Sequence, residues 1–193
     1  MKDMCSALCK GNGIKRGDVT PSGVPCIRYG EIYTTYHIAV SECKSHTQEN
    51  VVRNPKYCEY GDILFAATGE SVEDIGKSVA YLGKDKCMVG GDIIILKHNQ
   101  EPRFVSYALS TLNVQKQKSA GKVKSKVVHL HAADVEKIEI LLPNLAEQKR
   151  LADILDNFYA LCTDISEGIP AEIEACKKQY EYYRDKLLSF QEV

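Results

Sequence analysis

From Leu151 to Phe190 apolar residues recur at alternating steps of four and three: Leu151, Leu155, Phe158, Cys162, Ile165, Ile169, Ile173, Cys176, Tyr180, Tyr183, Leu187 and Phe190. That rhythm is a coiled-coil seam, an apolar stripe that one helix cannot bury by itself. An isolated helix of about 20 residues is marginal in water, so the stripe demands a partner surface. One irregular step, four then four across Ile165, Ile169 and Ile173, coincides with Gly168 and Pro170. Proline inside a helix removes a hydrogen bond and costs about 3 kcal/mol. Two helices are therefore predicted, over about residues 144–166 and 169–189, joined by a kink. The phase survives with a four-residue slip, so both halves are expected on one seam. The competing reading packs the stripe on the chain's own globular body.

A chain of 193 residues holds one domain of ordinary size before such a tail. The eight cysteines include no C-x-x-C pair, and Met1-Lys2-Asp3 opens no secretory leader, which together predict a reducing cytoplasm. No metal site is expected, because Cys5 and Cys9 lack a second closely spaced Cys/His pair. No apolar run approaches the length of a membrane span.

Net charge is −1 but unevenly spread: residues 134–193 carry 13 acids and 7 bases, leaving 18 bases and 13 acids before them. No acid falls between Glu101 and Asp134, where Lys116, Lys118, Lys122, Lys124 and Lys126 cluster around Ser119-Ala120-Gly121. This run suits a mobile loop gripping phosphates, or a plain solvated loop.

Gly61-Asp62 and Gly91-Asp92 each precede an apolar, β-rich run, and both runs predict buried strands. One helix is predicted from Pro102 to about Lys116, with strands at residues 127–130 and 137–142 around a helical turn near residues 132–135. Asn144 is a fair N-cap for the tail. The body is thus α/β (α+β), with domains at residues 1–143 and 144–193.

Two segments look built for a ligand. Gly11-Asn12-Gly13-Ile14-Lys15-Arg16-Gly17-Asp18 is glycine-rich and basic, but matches neither a P-loop nor a dinucleotide fingerprint, and an ordinary turn is the simpler reading. Residues 26–36 interleave Arg28 with Tyr29, Tyr33, Tyr36, Thr34 and Thr35, side chains that read base edges or simply pack in strands. Catalysis finds no support: G-x-S-x-G, H-E-x-x-H and Walker patterns are missing, and Asn54-Pro55-Lys56-Tyr57 departs from the base-holding N-P-P-Y tetrad of amino-methyltransferases at its third residue.

Gly23-Val24-Pro25-Cys26-Ile27-Arg28-Tyr29-Gly30, Gly61-Asp62-Ile63-Leu64-Phe65-Ala66 with Thr68-Gly69-Glu70, and Gly90-Gly91-Asp92-Ile93-Ile94-Ile95-Leu96 together resemble the target recognition domain of a type I restriction-modification specificity subunit. The junction resembles it most: Ile138-Glu139-Ile140-Leu141-Leu142-Pro143-Asn144-Leu145-Ala146-Glu147-Gln148 leads into the long helix as that family's strand, proline and Glu-Gln pair do. The resemblance covers nearly the whole chain.

It implies a non-catalytic subunit that binds double-stranded DNA and directs modification subunits, and in some assemblies restriction subunits, to a bipartite site. With one domain and one helical region, the chain resembles a half-subunit, expected to dimerise through Leu151, Leu155, Phe158, Cys162, Ile165, Ile169, Ile173, Cys176, Tyr180, Tyr183 and Leu187. A two-fold dimer predicts a palindromic site. Arg28, Tyr29, Thr34, Thr35, Thr68 and Glu70 are expected at the reading surface, and the lysines from 116 to 126 on phosphates. No cofactor is expected on this chain; S-adenosylmethionine belongs to the methyltransferase partner. Two other classes stay open, a coiled-coil dimeric DNA-binding regulator and a non-catalytic oligomerisation adaptor.

Overall fold

The computed structural model describes residues 1, 4–122, 127–164 and 170–189, and for 164, 170–173 and 175 the backbone alone. Lys124, Lys126, Ile165, Ile169 and Phe190 lie outside the described residues, as does the side chain of Ile173. The fold is mixed α/β and divides into two compact units, Met1–Glu139 and Ile140–Val193. No described helix is long and apolar enough to cross a membrane.

The first unit begins with β1 (Cys5–Lys10), a short 3-10 turn at Arg16–Asp18, β2 (Val19–Thr20), β3 (Val24–Ile27) and helix α1 (Tyr29–Thr34). There follow β4 (Ala39–Val40), β5 (Ser45–Thr47), β6 (Tyr57–Cys58), β7 (Ile63–Ala66), β8 (Thr68–Gly69), β9 (Ser78–Tyr81), β10 (Cys87–Val89) and β11 (Ile93–His98). Helices α2 (Pro102–Leu109) and α3 (Leu112–Ser119), strand β12 (Val128–His129) and helix α4 (Ala132–Lys137) complete it.

Two five-stranded sheets form the body, ordered β1-β11-β7-β9-β4 and β2-β5-β3-β10-β6, with β8 and β12 as a separate two-stranded ribbon. The Gly-Asp runs become β7 and β11, antiparallel neighbours with Ile93 opposite Ala66 and Leu96 opposite Ile63. All eight residues from Ile63 to Ala66 and Ile93 to Leu96 are buried, which is why these strands read as continuous apolar runs rather than alternating ones. Asp62 shapes the turn before β7: its Oδ2 accepts the Glu59 N–H at 2.9 Å and the Lys97 ammonium at 3.0 Å.

Three local expectations are corrected. The helix predicted over residues 102–116 is two helices, because Thr111 turns the chain: its Oγ1 donates to the Ala108 carbonyl at 2.9 Å and its side chain caps α3. Residues 137–142 form no strand. Instead the Gln117 amide binds the Glu139 backbone on both sides, donating to its carbonyl at 3.0 Å and accepting its N–H at 2.8 Å, so one side chain takes the place of a strand neighbour. Residues 29–34 are helical rather than extended, because Glu31 reaches back to accept the Arg28 N–H at 2.8 Å and closes the first turn.

The second unit holds α5 (Leu145–Asp164) and α6 (Pro170–Leu188). Asn144 caps α5, its Oδ1 accepting the Glu147 N–H at 3.0 Å, and the Gln148 amide donates to the Pro143 carbonyl at 2.7 Å. The continuous seam is corrected to a hairpin. Phe158 stacks on Tyr180 and meets Tyr183 edge-on, both at 6.0 Å between ring centroids, and the Cys162 thiol points to the Cys176 carbonyl. These pairs run antiparallel, so the two halves of the stripe face each other within one chain. Leu151, Leu155 and Tyr180 are buried, whereas Leu161, Tyr182 and Tyr183 remain exposed at 61%, 60% and 42%.

Candidate nucleic-acid interface

Helix α1 is six residues long and stands between two clefts. It sits where β3 ends, and β3 is held on one side by β5 and on the other by parallel β10. Glu31 anchors it underneath: buried at 8% exposure, it takes the Arg28 N–H on Oε2 and the Ser45 hydroxyl on Oε1. Arg28, Tyr29 and Thr34 are thereby fixed at the surface as a group.

The first cleft, about 750 Å³, is lined by Lys15, Arg16, Arg28, Tyr29, Thr34 and the Gly90-Gly91 turn. Its outer wall is the glycine-rich loop, pinned by backbone bonds from Gly11 N–H to the Ile93 carbonyl and from Asn12 N–H to the Val89 carbonyl, both at 2.9 Å. Gly11 is required there, since a Cβ would stand 2.1 Å from the Gly90 carbonyl oxygen. Lys15 and Arg16 are exposed. The Arg28 Nε is buried, lies 3.7 Å from Glu31 Oε2, and finds no hydrogen-bond partner among the described residues. Asp92 on the rim faces Lys10 at 3.7 Å, so the cleft's cations outnumber its unengaged acids.

The second cleft, about 790 Å³, lies on the other side of α1 and is lined by Tyr29, Tyr33, Thr34, Thr68, Glu70 and Asp74, with Ser71 and Val127 at its edge. Its chemistry is hydroxyl and carboxylate. Burial pushes the Tyr33 phenol up to about 12, so it stays a protonated donor. The β8–β12 ribbon supplies the far wall, with Thr68 Oγ1 3.3 Å from His129 Nδ1. Carboxylates and hydroxyls accept from exocyclic amino groups of bases, whereas guanidinium and ammonium groups suit phosphate oxygens or guanine edges.

Five expected residues thus converge around α1: Arg28, Tyr29, Thr34, Thr68 and Glu70. Thr35 follows the helix and lines neither cleft; its hydroxyl is 3.3 Å from that of Thr34. The lysine run is corrected, because it is not one loop. Lys116 is exposed on α3, but Lys118 is 2% exposed, with Nζ donating to the Leu109 carbonyl at 2.7 Å and 5.8 Å from the Phe65 ring centroid. Burial pushes its amine down to about 7. Lys122 ties the base of the ribbon, donating to the His129 carbonyl at 2.7 Å and Asp134 Oδ2 at 2.9 Å. Burial alone raises the Asp134 carboxyl, but the Lys122 and His131 N–H bonds outweigh it and hold it below the usual range. Lys15 and Arg16, set aside in favour of an ordinary turn, line the basic cleft instead. The signal was present in the glycines on either side, which let that loop lie close against the β10–β11 turn.

The family described as the type I restriction modification DNA specificity domain matches residues 1–175. The chain belongs to the type I restriction-modification DNA specificity family. Within this specificity family, a Haemophilus influenzae chain named as a type I restriction enzyme specificity subunit is 32% identical over 134 residues, 69% of this chain and 33% of that protein. The Escherichia coli type I restriction enzyme EcoR124I/EcoR124II specificity subunit is 35% identical over 97 residues, 50% of this chain and 24% of that protein. The chain therefore spans a third or less of these two relatives. A solved HsdS subunit from Thermoanaerobacter tengcongensis superposes with a TM-score of 0.55 at 15% identity, covering 97% of this chain and 43% of that one. A chain of a solved type I restriction-modification system gives 0.59 at 16% identity, covering 96% and 44%. The specificity-family fold is shared along nearly the whole length.

Proposed function

We propose that this chain is a sequence-reading module of a type I restriction-modification complex, non-catalytic itself, which brings partner methyltransferase subunits, and restriction subunits where they join, to double-stranded DNA. The observation that carries this reading is the pair of clefts with opposite chemistry that share helix α1. A basic cleft through Lys15, Arg16 and Arg28 suits the phosphate backbone, and the hydroxyl and carboxylate cleft through Thr68 and Glu70 suits base edges beside it. Lys116 adds an exposed cation, and Lys124 and Lys126 extend the same run. The residues up to about 143 read DNA in this scheme, and residues 144–193 join the module to a second one.

That joining is a homodimer in our reading, through the faces of α5 and α6 that the hairpin leaves exposed, with coiled-coil packing between the two hairpins. Two identical readers on a two-fold axis prefer a palindromic, spaced site. S-adenosylmethionine belongs to the methyltransferase partner, and the compartment is the cytoplasm.

The test is DNA binding by the full chain on a site selected from random duplexes. The double variant Lys15→Ala, Arg16→Ala is expected to weaken every sequence alike and to flatten the salt dependence by about two units of slope. Glu70→Gln is expected to relax preference at one base pair by about 10-fold, the scale of a single base contact of about 1–3 kcal/mol. Unchanged salt slope together with unchanged preference would refute the assignment of both clefts.

A further inference from the structure

A thiol pair lies behind α1, and the DNA reading makes no use of it. Cys43 sits in the loop between β4 and β5, and Cys87 opens β10; their sulfurs are 3.4 Å apart although 44 residues separate them in sequence. Cys43 is half-buried and lines a small cleft of about 320 Å³ with Ser41, Glu42, His46 and Tyr81, while Cys87 is fully enclosed. One sulfur is therefore reachable by a small solute and the other only by its neighbour. A disulfide needs sulfurs at about 2.05 Å, so the pair must close by about 1.3 Å from its separation of 3.4 Å. Cys58 faces Cys87 across the β6–β10 pair but is wholly buried, as is Cys26.

We propose that Cys43 and Cys87 form an oxidation site for hydroperoxides, with Cys43 as the thiol that attacks the peroxide and Cys87 as the resolving one. The Cys43 sulfur attacks one oxygen of hydrogen peroxide and the O–O bond breaks. Cys43 becomes a sulfenic acid, and the hydroxide released takes up the thiol proton as water. The Cys87 sulfur then attacks the Cys43 sulfur, the S–OH bond breaks, and the hydroxyl leaves as water with the Cys87 proton. Two thiols and one peroxide give one disulfide and two waters. The neighbourhood favours this order of events. Cys43 lines the cleft that a small peroxide can enter, whereas Cys87 is enclosed and meets the Cys43 sulfur at 3.4 Å.

The site is joined to α1 through its own loop. The Lys44 N–H donates to the Tyr36 hydroxyl at 3.0 Å, and the Ser45 hydroxyl donates to Glu31.

The experiment treats the full chain with excess hydrogen peroxide, quenches with catalase, denatures, alkylates with iodoacetamide and reads the intact mass. All eight cysteines are free thiols at the start. Wild type is expected to lose two alkylations, with a cross-linked peptide mapping Cys43 to Cys87. Cys43→Ala is expected to keep its full complement, and Cys87→Ser to trap a dimedone adduct on Cys43. Undiminished alkylation of wild type would overturn the proposal. So would a bridge mapped from Cys58 to Cys87 or from Cys162 to Cys176 while Cys43 remains alkylated. Should Cys87→Ser fail to fold, the wild-type map and Cys43→Ala decide alone.

Discussion

Lys118 puts an ammonium where a hydrophobic side chain would serve the fold, and its replacement by methionine is expected to reverse sign with pH. The amine falls from an ordinary value of 10.5 to about 7 because it is buried. Burial disfavours its charged form, so below pH 7 the folded chain holds a proton at a cost that the unfolded chain does not bear. Between pH 7 and 10.5 the unfolded state binds a proton that the folded state has shed, so stability rises with pH across that window. Above it the contribution is level. The full span is about 5 kcal/mol at about 1.36 kcal/mol per pH unit.

Lys118→Met removes this slope but leaves the Leu109 carbonyl without the amine that bonds it at 2.7 Å, a cost of about 1–3 kcal/mol. The variant is therefore expected to be more stable than wild type by about 2–4 kcal/mol near pH 6.5, level with it near pH 9 and less stable beyond. Urea unfolding followed by circular dichroism at a series of pH values measures the difference, in which every other titrating group cancels. Wild type and variant rising in parallel with pH would refute the buried-amine argument. DNA affinity is expected to stay within about twofold, since a side chain so enclosed reaches no phosphate.

Gly11→Ala is expected to lose about 3 kcal/mol in urea unfolding, because its Cβ meets backbone at 2.1 Å; a loss under about 1 kcal/mol would show that the two loops can part freely. Glu31→Ala leaves the Arg28 N–H and the Ser45 hydroxyl without their acceptor, and is expected to lower the melting temperature by about 4–8 °C for a loss of about 2 kcal/mol. Leu161→Glu, at an exposed position of α5, is expected to leave stability within about 0.5 kcal/mol and to halve the mass seen by light scattering; an unchanged dimer mass would place the joining surface elsewhere.

What the sequence disclosed follows from the length scale of each interaction. Strands β7 and β11 were legible because each is a local apolar run behind its own Gly-Asp turn, and the α5 entry because Asn144 caps it within one turn. Helix α1 was hidden: at six residues it is too short to show a 3.6-residue period, and only the Arg28–Glu31 spacing marks it. The missing strand at residues 137–142 could not be foreseen, because Gln117 meets Glu139 from 22 residues away. Lys118 was misjudged on charge, although Val114, four residues earlier and 3% exposed, marks the same inward helix face. The hairpin was hidden for a related reason, since an apolar stripe records which face is sticky and not which surface it meets. For the proposed reading surface, the sequence singled out Arg28, Tyr29, Thr34, Thr68 and Glu70 but not their sorting into two clefts, because α1, the glycine-rich loop and the ribbon come together only through the sheets.

In the proposed dimer, the self-paired tail changes how one module finds its mate. A rod that waits for a second chain before it can fold ties synthesis to encounter, and its exchange is as slow as unfolding. Here Phe158 already rests on Tyr180 within one chain. Association can then be reversible docking between finished parts, its extent set by concentration, and chains that carry different readers on matching tails are free to trade companions.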